Sequence, residues 1–591
     1  MCDSRHSTDR LNVRFSSGPF LGQRFFYASY LDWEEIMLKR NLMITCVMTV
    51  SAVASQTAFP AGLTEEGARD IARVIQPSPA QLQVFSQPPT MTRAFRLSAL
   101  AAPGLATTDA QKTFSMWHSF GLYVLAFDHT PAVDPTTGKQ LHLQQFGPHR
   151  ASYAMALLHL AMYEVANAFK TPPTQATSWI ERKLPGAVGS PPAGASEAVA
   201  IAAAARTILD HLYMGDDYGI DSEYNNSLSG LNSAPGSPGE AFGNKIGDLI
   251  LGLRSKDMSN LPEPMWGEDF SPKASTGTVF QRAPDPVSQI QVALGGNWGM
   301  VSPFVASAPS SYVLGNSNFP PPTYNLDDPG FIAAFNEVRK CGVDSHALNE
   351  TRDCGVTGSL DNEDTYYRAK FWSYDGTSGI CAPVRLYNEI ADEILLEHKA
   401  DIVGTASTDA DVTAAEAKYY ARINLAMVDA GIVAWYAKYL YQYWRPITGV
   451  RTLIAYNGGQ SSTSPKDRES WLPLGAQNTN SSRGFNITPP FPSYPSGHSV
   501  FGGAFFEVLR SFVKPADQTF NFQSDEYNGK QALQANVDAF NYVRCLDDPS
   551  PPPHEQGAYC MPRNFDFYLT DVTNFDPGSA NFDPKNAEGE N

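Results

Sequence analysis

Apolar segments with helical spacing alternate along this chain with polar segments rich in Pro, Gly, Ser and Asn. The clearest pattern runs from His149 to Phe169, carries almost no charge and predicts a buried helix that Pro172 ends. No segment alternates as a strand does, and no sequence repeat has a fixed period. We therefore predict an all-α fold, with further helices over 195–212, 241–253, 329–340, 384–398, 411–444 and 496–512.

The segments between these helices are long. Residues 56–145 show no pattern that assigns an element, and residues 258–330 have the composition of surface loops. A polar stretch over 454–495 separates the last two predicted helices. Loops of that length inside a helical domain more often carry function than not.

Composition indicates a globular protein and excludes some partners. The 42% of apolar residues is ample for a packed interior, and 591 residues suggest two to four packed units. The net charge of −18 argues against nucleic acid and against an anionic membrane surface as partners. Any anion site must therefore be built locally, because the overall field repels anions.

The N-terminal region has the features of an export signal. Lys39 and Arg40 precede an apolar run over 42–53, and small residues around Ala54 suit signal peptidase. The run is too short to span a membrane, so we predict no membrane span and a secreted or periplasmic protein. On this interpretation residues 1–54 form an upstream extension and signal, and Met37 is the start. The alternative is an ordinary buried apolar segment.

Cysteine spacing agrees with an exported protein. Cys341 with Cys354, and Cys545 with Cys560, would each close a short loop as a disulfide, which leaves Cys381 free. No Cys/His cluster has the spacing of a zinc or iron–sulfur site.

Two cations in an aromatic stretch are the first candidates for chemistry. Lys438 and Arg445 are seven residues apart, which places both on one face if the helix continues to Pro446. Arg offers a planar fork and Lys a mobile charge, so the pair could converge on one small anion. The alternative is a solvated cationic face, against which the neighbouring Tyr and Trp residues argue.

The run Pro495-Ser496-Gly497-His498 opens the last predicted helix. Ser496 is a typical N-cap, and the first backbone N–H groups of a helix form a cradle for anions. Gly497 would let the backbone approach a ligand closely, and His498 would act as an acid or base near neutral pH. The alternative is a cap with an incidental histidine.

Taken together, Lys-x6-Arg-Pro and Pro-Ser-Gly-His resemble the signature of the vanadium-dependent haloperoxidases and of their relatives, the type 2 phosphatidic-acid phosphatases. Trp435, Phe491 and the helix over 147–168 resemble the haloperoxidases more closely. The resemblance spans about Gly147 to Phe512, and its most specific motifs lie near the end.

The resemblance implies an all-α fold of two four-helix bundles, with vanadate in the second. It implies that the vanadate oxygens are bound by Lys438, Arg445, Ser496 and Gly497. By the same resemblance His498 is the acid–base residue, and Trp435 and Phe491 line the halide pocket. The implied reaction is oxidation of halide by hydrogen peroxide to hypohalous acid, which halogenates small organic substrates.

The family has a third motif, Ser-Arg-x5-His, which supplies another Arg and the axial His. After His498 the chain has only His554, which follows a Pro run and lacks the Arg, so we reject it as the ligand. Residues 586–591 resemble the stretch that leads into this motif. We therefore expect residues 55–335 and 336–591 to form the two helical halves, the second truncated, and this form to be poorly soluble and inactive.

Two alternatives stay open. A phosphatase of the same superfamily would hold phosphate in the same cradle and act on phosphomonoesters. A catalytically silent helical protein would bind phosphate or vanadate weakly. The aromatic pocket residues and the haloperoxidase-like first-bundle helix favour the haloperoxidase over the phosphatase.

Overall fold

Thirteen α-helices account for most of the part of the chain that the structure, a computed structural model, describes. That part comprises residues 62–75, 107–131, 142–170, 177–268, 284–316, 319, 326–342, 383–456, 471–473, 488–513, 519–522 and 565–568. All of these residues lie in one compact unit, Pro60–Asn591. Within them no helix is both long enough and apolar enough to cross a membrane.

In chain order the helices are α1 (Glu65–Ile75), α2 (Asp109–Asp128), α3 (Pro148–Phe169), α4 (Trp179–Lys183), α5 (Glu197–Leu212), α6 (Ile220–Gly230), α7 (Pro238–Arg254), α8 (Pro309–Val313), α9 (Pro329–Cys341), α10 (Pro383–Val403), α11 (Asp409–Tyr441), α12 (Pro446–Tyr456) and α13 (Gly497–Leu509). Two 3₁₀ turns cover Asp216–Tyr218 and Trp298–Met300.

The long helix α11 lies at the centre of the arrangement. It packs along α3 and α13 and also contacts α10 and α2. Helix α3 is buried over almost its whole length, as its uncharged sequence predicts. Because α11 contacts both the helices before residue 336 and α13 after it, it joins the early part of the chain to the predicted site.

Small residues let α5 and α7 approach closely. Gly239, Gly243 and Gly247 recur every four residues along α7 and face α5. A Cβ atom at Gly243 would lie 2.2 Å from the carbonyl oxygen of Ala200. The backbones of the two helices are therefore packed against each other without side chains between them.

A buried polar cluster links α2, α3, α10 and α11. His118 Nδ1 lies 2.8 Å from His159 Nε2, and His118 Nε2 lies 2.7 Å from an Asp392 carboxylate oxygen. Tyr420 donates to the same oxygen at 2.7 Å. These contacts tie four helices to one another through buried polar groups as well as through apolar packing.

The prediction of a helical fold is confirmed, and the predicted helices are present with shifts of a few residues at their ends. The pattern missed α1, α2, α4, α6, α8 and α12, together with a short antiparallel pair of strands, β1 (Thr519–Phe522) and β2 (Phe565–Tyr568). The expectation of no strands is therefore wrong for these eight residues, whose pairing is non-local.

The prediction that Lys438 and Arg445 share one helix is wrong. Helix α11 ends at Tyr441, because Gln442 adopts a left-handed conformation (φ 50°, ψ 43°) and its N–H bonds back to the Lys438 carbonyl. Pro446 does not end that helix. It begins α12, as proline at the first helical position commonly does.

Several predictions concern residues outside the described part of the chain. They are the export signal before residue 54, the Cys545–Cys560 disulfide, the free Cys381, and His554. Cys341 is disulfide-bonded. Its predicted partner, Cys354, also lies outside the described residues.

Candidate active site

The last turn of α11 places a lysine in the protein interior. The Lys438 side chain is 1% exposed, and its ammonium donates to the carbonyl oxygens of Pro492 and Ser493 at 3.0 Å each, and also to that of Pro495. An ammonium has three N–H donors, so these three carbonyls match its capacity. Lys438 thus holds the segment that leads into α13.

Arg445 approaches the same segment from the turn between α11 and α12. Its Nε–H donates to the Phe491 carbonyl at 2.8 Å, and its guanidinium carbon lies 4.7 Å from the centre of the Phe491 ring. The Lys438 ammonium lies 5.1 Å from the same ring. The turn at Gln442 therefore brings the two cations to one ring, although they do not share a helix.

An aromatic wall stands beside the cations. The Trp435 and Phe491 rings are 5.1 Å apart, and both are buried. Trp435 lies one turn before Lys438 on α11, and its ring is 5.6 Å from the Lys438 ammonium. Cations against aromatic faces in a dry site are attracted by the ring quadrupoles, which adds to the carbonyl contacts of Lys438.

The start of α13 forms the third side. Ser496 is the N-cap, and its Oγ accepts from the Ser499 N–H at 3.3 Å. The first N–H groups of the helix have no carbonyl of their own helix to bond, so they and the positive end of the helix dipole favour an anion. A Cβ at Gly497 would lie 3.5 Å from the Trp435 ring, which places the cap directly against the aromatic wall.

His498 follows in the first turn of α13 and is half-buried. Its carbonyl oxygen accepts from the Tyr387 hydroxyl at 2.9 Å, so α10 anchors this turn. Tyr387 was not among the predicted site residues, since nothing in its local sequence distinguishes it. All seven predicted residues are thus found on three adjoining segments.

Behind the aromatic wall lies a charged cluster that the sequence motifs did not indicate. Glu263 accepts from His149 Nε2 at 3.0 Å and from Arg150 Nε at 2.6 Å, all three side chains being buried. Burial raises the pKa of Glu263, but Arg150 and His149 outweigh that effect and lower it to about 2. The only local signal is an acidic residue between two prolines, Pro262 and Pro264.

No group of three or more metal-ligating side chains occurs among the described residues. The N–H donors at the start of α13 and the Arg445 guanidinium are groups suited to hold an oxyanion.

Comparisons with known proteins found a matching family model and a curated relative. Residues 418–543 match the family model of the VCPO second helical-bundle domain. The chain is 27% identical over 428 residues to a vanadium chloroperoxidase from Curvularia inaequalis, a match that covers 67% of this chain and 64% of that protein. The chain thus spans somewhat less than two thirds of the length of this curated relative.

Two solved structures show a partial likeness. The first bacterial vanadium-dependent iodoperoxidase matches with a TM-score of 0.48 and 20% identity, covering 72% of this chain and 89% of that one. An apo-type bacterial vanadium-dependent chloroperoxidase matches with a TM-score of 0.41 and 12% identity, covering 72% and 86%. The family model and the sequence relative thus show that this chain is similar to vanadium chloroperoxidase, most specifically over residues 418–543.

Proposed function

We propose that this protein uses vanadate to oxidise halide with hydrogen peroxide, giving hypohalous acid that halogenates small organic substrates. The observation that carries the proposal is the convergence of two cations, a helix N-terminus and an aromatic wall on the segment 491–498. A tetrahedral oxyanion needs donors from several directions, and a halide suits an aromatic, water-poor flank.

The residues fit vanadate at the cap and at Arg445. The N–H groups that begin α13 and the Ser496 hydroxyl would donate to its oxygens. Since Arg445 Nε already bonds to Phe491, its two terminal nitrogens are the groups suited to the anion. Vanadate, when bound, would act as a Lewis acid toward peroxide.

Lys438 fits the oxyanion less directly. With three carbonyl oxygens around its ammonium, a bond to vanadate would require one of them to move away. We therefore propose that Lys438 acts first by holding the 492–495 segment, and adds its charge to the field at the site. His498 would take and return the proton of bound peroxide, and Trp435 with Phe491 would exclude water around the halide.

The experiment separates binding from turnover. Binding of orthovanadate to the purified chain is measured by ⁵¹V NMR, and bromination of a 1,3-diketone is measured with bromide and peroxide. We expect vanadate binding that Arg445→Ala weakens by at least about tenfold, the effect of losing roughly 1.4 kcal/mol. Arg206→Ala serves as the matched control, since Arg206 lies on α5 and pairs with the carboxylates of Asp210 and Asp221.

Each outcome selects one function. Binding with bromination supports the haloperoxidase, and it contradicts the expectation that this form is inactive. Hydrolysis of a phosphomonoester without bromination supports the phosphatase. Binding without either reaction supports the silent anion-binding protein, and no binding of vanadate or phosphate overturns the proposal.

A further inference from the structure

The aromatic wall of the site is held from behind by the first long helix. The His149 ring, in the first turn of α3, stacks on the Trp435 ring with centroids 5.3 Å apart and planes 28° apart. Both side chains are fully buried. Since His149 also lies within 3.0 Å of Glu263, the wall is connected to a buried carboxylate.

The same carboxylate holds a second element against Trp435. While one Glu263 oxygen accepts from His149 and Arg150, the other accepts the backbone N–H of Gly295. Gly295 has φ 78°, and a Cβ there would lie 2.0 Å from Trp435 Cδ1. The bare glycine backbone therefore lies directly on the indole, at a distance that no other residue would permit.

Leu294, the residue before this glycine, completes the contact. Its carbonyl accepts from Trp435 Nε1 at 3.2 Å and from the Tyr439 hydroxyl at 2.8 Å. Its N–H donates to the Pro490 carbonyl at 3.1 Å, one residue before Phe491. The segment 294–295 thus touches both halves of the aromatic wall.

We propose that Glu263 is a positioning residue that clamps Trp435 through two contacts, the His149 ring stacked on the indole and the Gly295 backbone against its Cδ1 and Nε1 atoms. An ionised carboxylate only accepts hydrogen bonds, so it can bind all three donors at once. The catalytic consequence rests on the proposed function, in which Trp435 lines the halide pocket. The effect on the position of Trp435 does not depend on the proposed function.

The test uses Glu263→Gln, which keeps the shape and replaces one acceptor oxygen by a donor. The protein has nine Trp residues, so it is labelled with 5-fluorotryptophan and the Trp435 ¹⁹F resonance is assigned with Trp435→Phe. We expect that resonance to shift or split in Glu263→Gln. If the proposed function holds, KM for bromide rises about tenfold while vanadate affinity changes less than about twofold.

Glu416→Gln is the matched control. Glu416 is also a buried carboxylate bonded to a cation, Lys399 at 2.7 Å, and lies on the same helix as Trp435. Glu416 is nineteen residues from Trp435, about 28 Å along the helix axis. A general loosening of the protein would shift the Trp435 resonance in both variants, whereas loss of the clamp would shift it in Glu263→Gln alone. The Trp435 resonance should stay in place in this control.

A second variant covers the case in which Glu263→Gln does not fold. His149→Phe keeps a ring against Trp435 but loses the bond to Glu263, so it should move the Trp435 resonance less than a complete loss of the clamp. An unmoved resonance in a folded variant, or an equal movement in Glu416→Gln, overturns the proposal. A moved resonance without any bromide oxidation supports the clamp and contradicts the proposed function.

Discussion

Lys438 is a buried cation whose ammonium donates to three main-chain carbonyl oxygens. Replacing it in Lys438→Met keeps most of the volume but leaves three carbonyl oxygens without this donor. We expect the free energy of unfolding to fall by about 3 kcal/mol, because buried acceptors left unsatisfied are costly. Urea unfolding at neutral pH measures it.

The same substitution should weaken anion binding, because Lys438 holds the segment that leads into α13. Vanadate affinity in Lys438→Met should fall by at least about tenfold, as the cap of α13 loses its fixed approach. Lys245→Met is the matched control, since exposed Lys245 donates to a single carbonyl, that of Val188, at 2.8 Å. Its stability should change by less than about 0.5 kcal/mol. Equal losses in the two variants would contradict the role given to the three carbonyls.

At the residue scale, the types of residue in the site could be predicted from the sequence, but their arrangement in space could not. Ser496 at a helix start is readable because capping is local. The departure of Arg445 from the helix depends on the left-handed Gln442, which no hydrophobic pattern indicates. Glu263 and Gly295 reach Trp435 across more than 130 residues, so local periodicity carries no information about them.

At the scale of elements, the crossing of α5 and α7 depends on glycines rather than on large side chains. A methyl group at Gly243 would lie 2.2 Å from the Ala200 carbonyl oxygen and 2.8 Å from Ala203 Cβ. Gly243→Ala should therefore lower stability by about 2 kcal/mol, because forced repacking exceeds the gain in helix propensity. Thermal unfolding followed by circular dichroism measures this change.

The same helix supplies the control. Gly252, also in α7, is exposed and has no atom within 4 Å of an added Cβ. Gly252→Ala should raise stability by about 0.5–1 kcal/mol, because alanine has the higher helix propensity and its methyl group meets no neighbouring atom here. The opposite signs at two glycines of one helix distinguish packing from propensity. A stabilised Gly243→Ala would show that the two helices can separate at little cost.

At the scale of the whole molecule, the early and late parts of the chain are joined by buried polar groups as well as by apolar packing. The cluster of His118, His159, Asp392 and Tyr420 connects α2 and α3 to α10 and α11. The sequence predicted α3, α10 and α11 from their apolar residues but missed α2. It could not predict that polar residues on four of them meet, because each is a single interruption of an apolar face.

This cluster makes stability depend on pH. Burial, and then the neighbouring His118, lower the pKa of His159 to about 3, while the Met155 carbonyl and Asp392 oppose the shift. Between pH about 6.5 and 3 the unfolded chain therefore binds a proton at this residue that the folded chain does not. Stability should fall as pH falls through that window, by about 1.4 kcal/mol per pH unit for this one proton.

His159→Gln tests the contribution of that proton, because glutamine does not titrate. We expect the variant to be less stable at pH 7, since it loses the bonds to His118 and Met155, yet to lose less stability on acidification. Urea unfolding at pH 7, 6, 5 and 4 gives the two slopes, which should differ by about one proton. His211→Gln is the control. His211 lies at the surface, and although partial burial lowers its pKa as well, we expect its replacement to change the slope less. Parallel curves for the wild type and His159→Gln would mean that other groups, such as Glu263 and His149, account for the acid sensitivity.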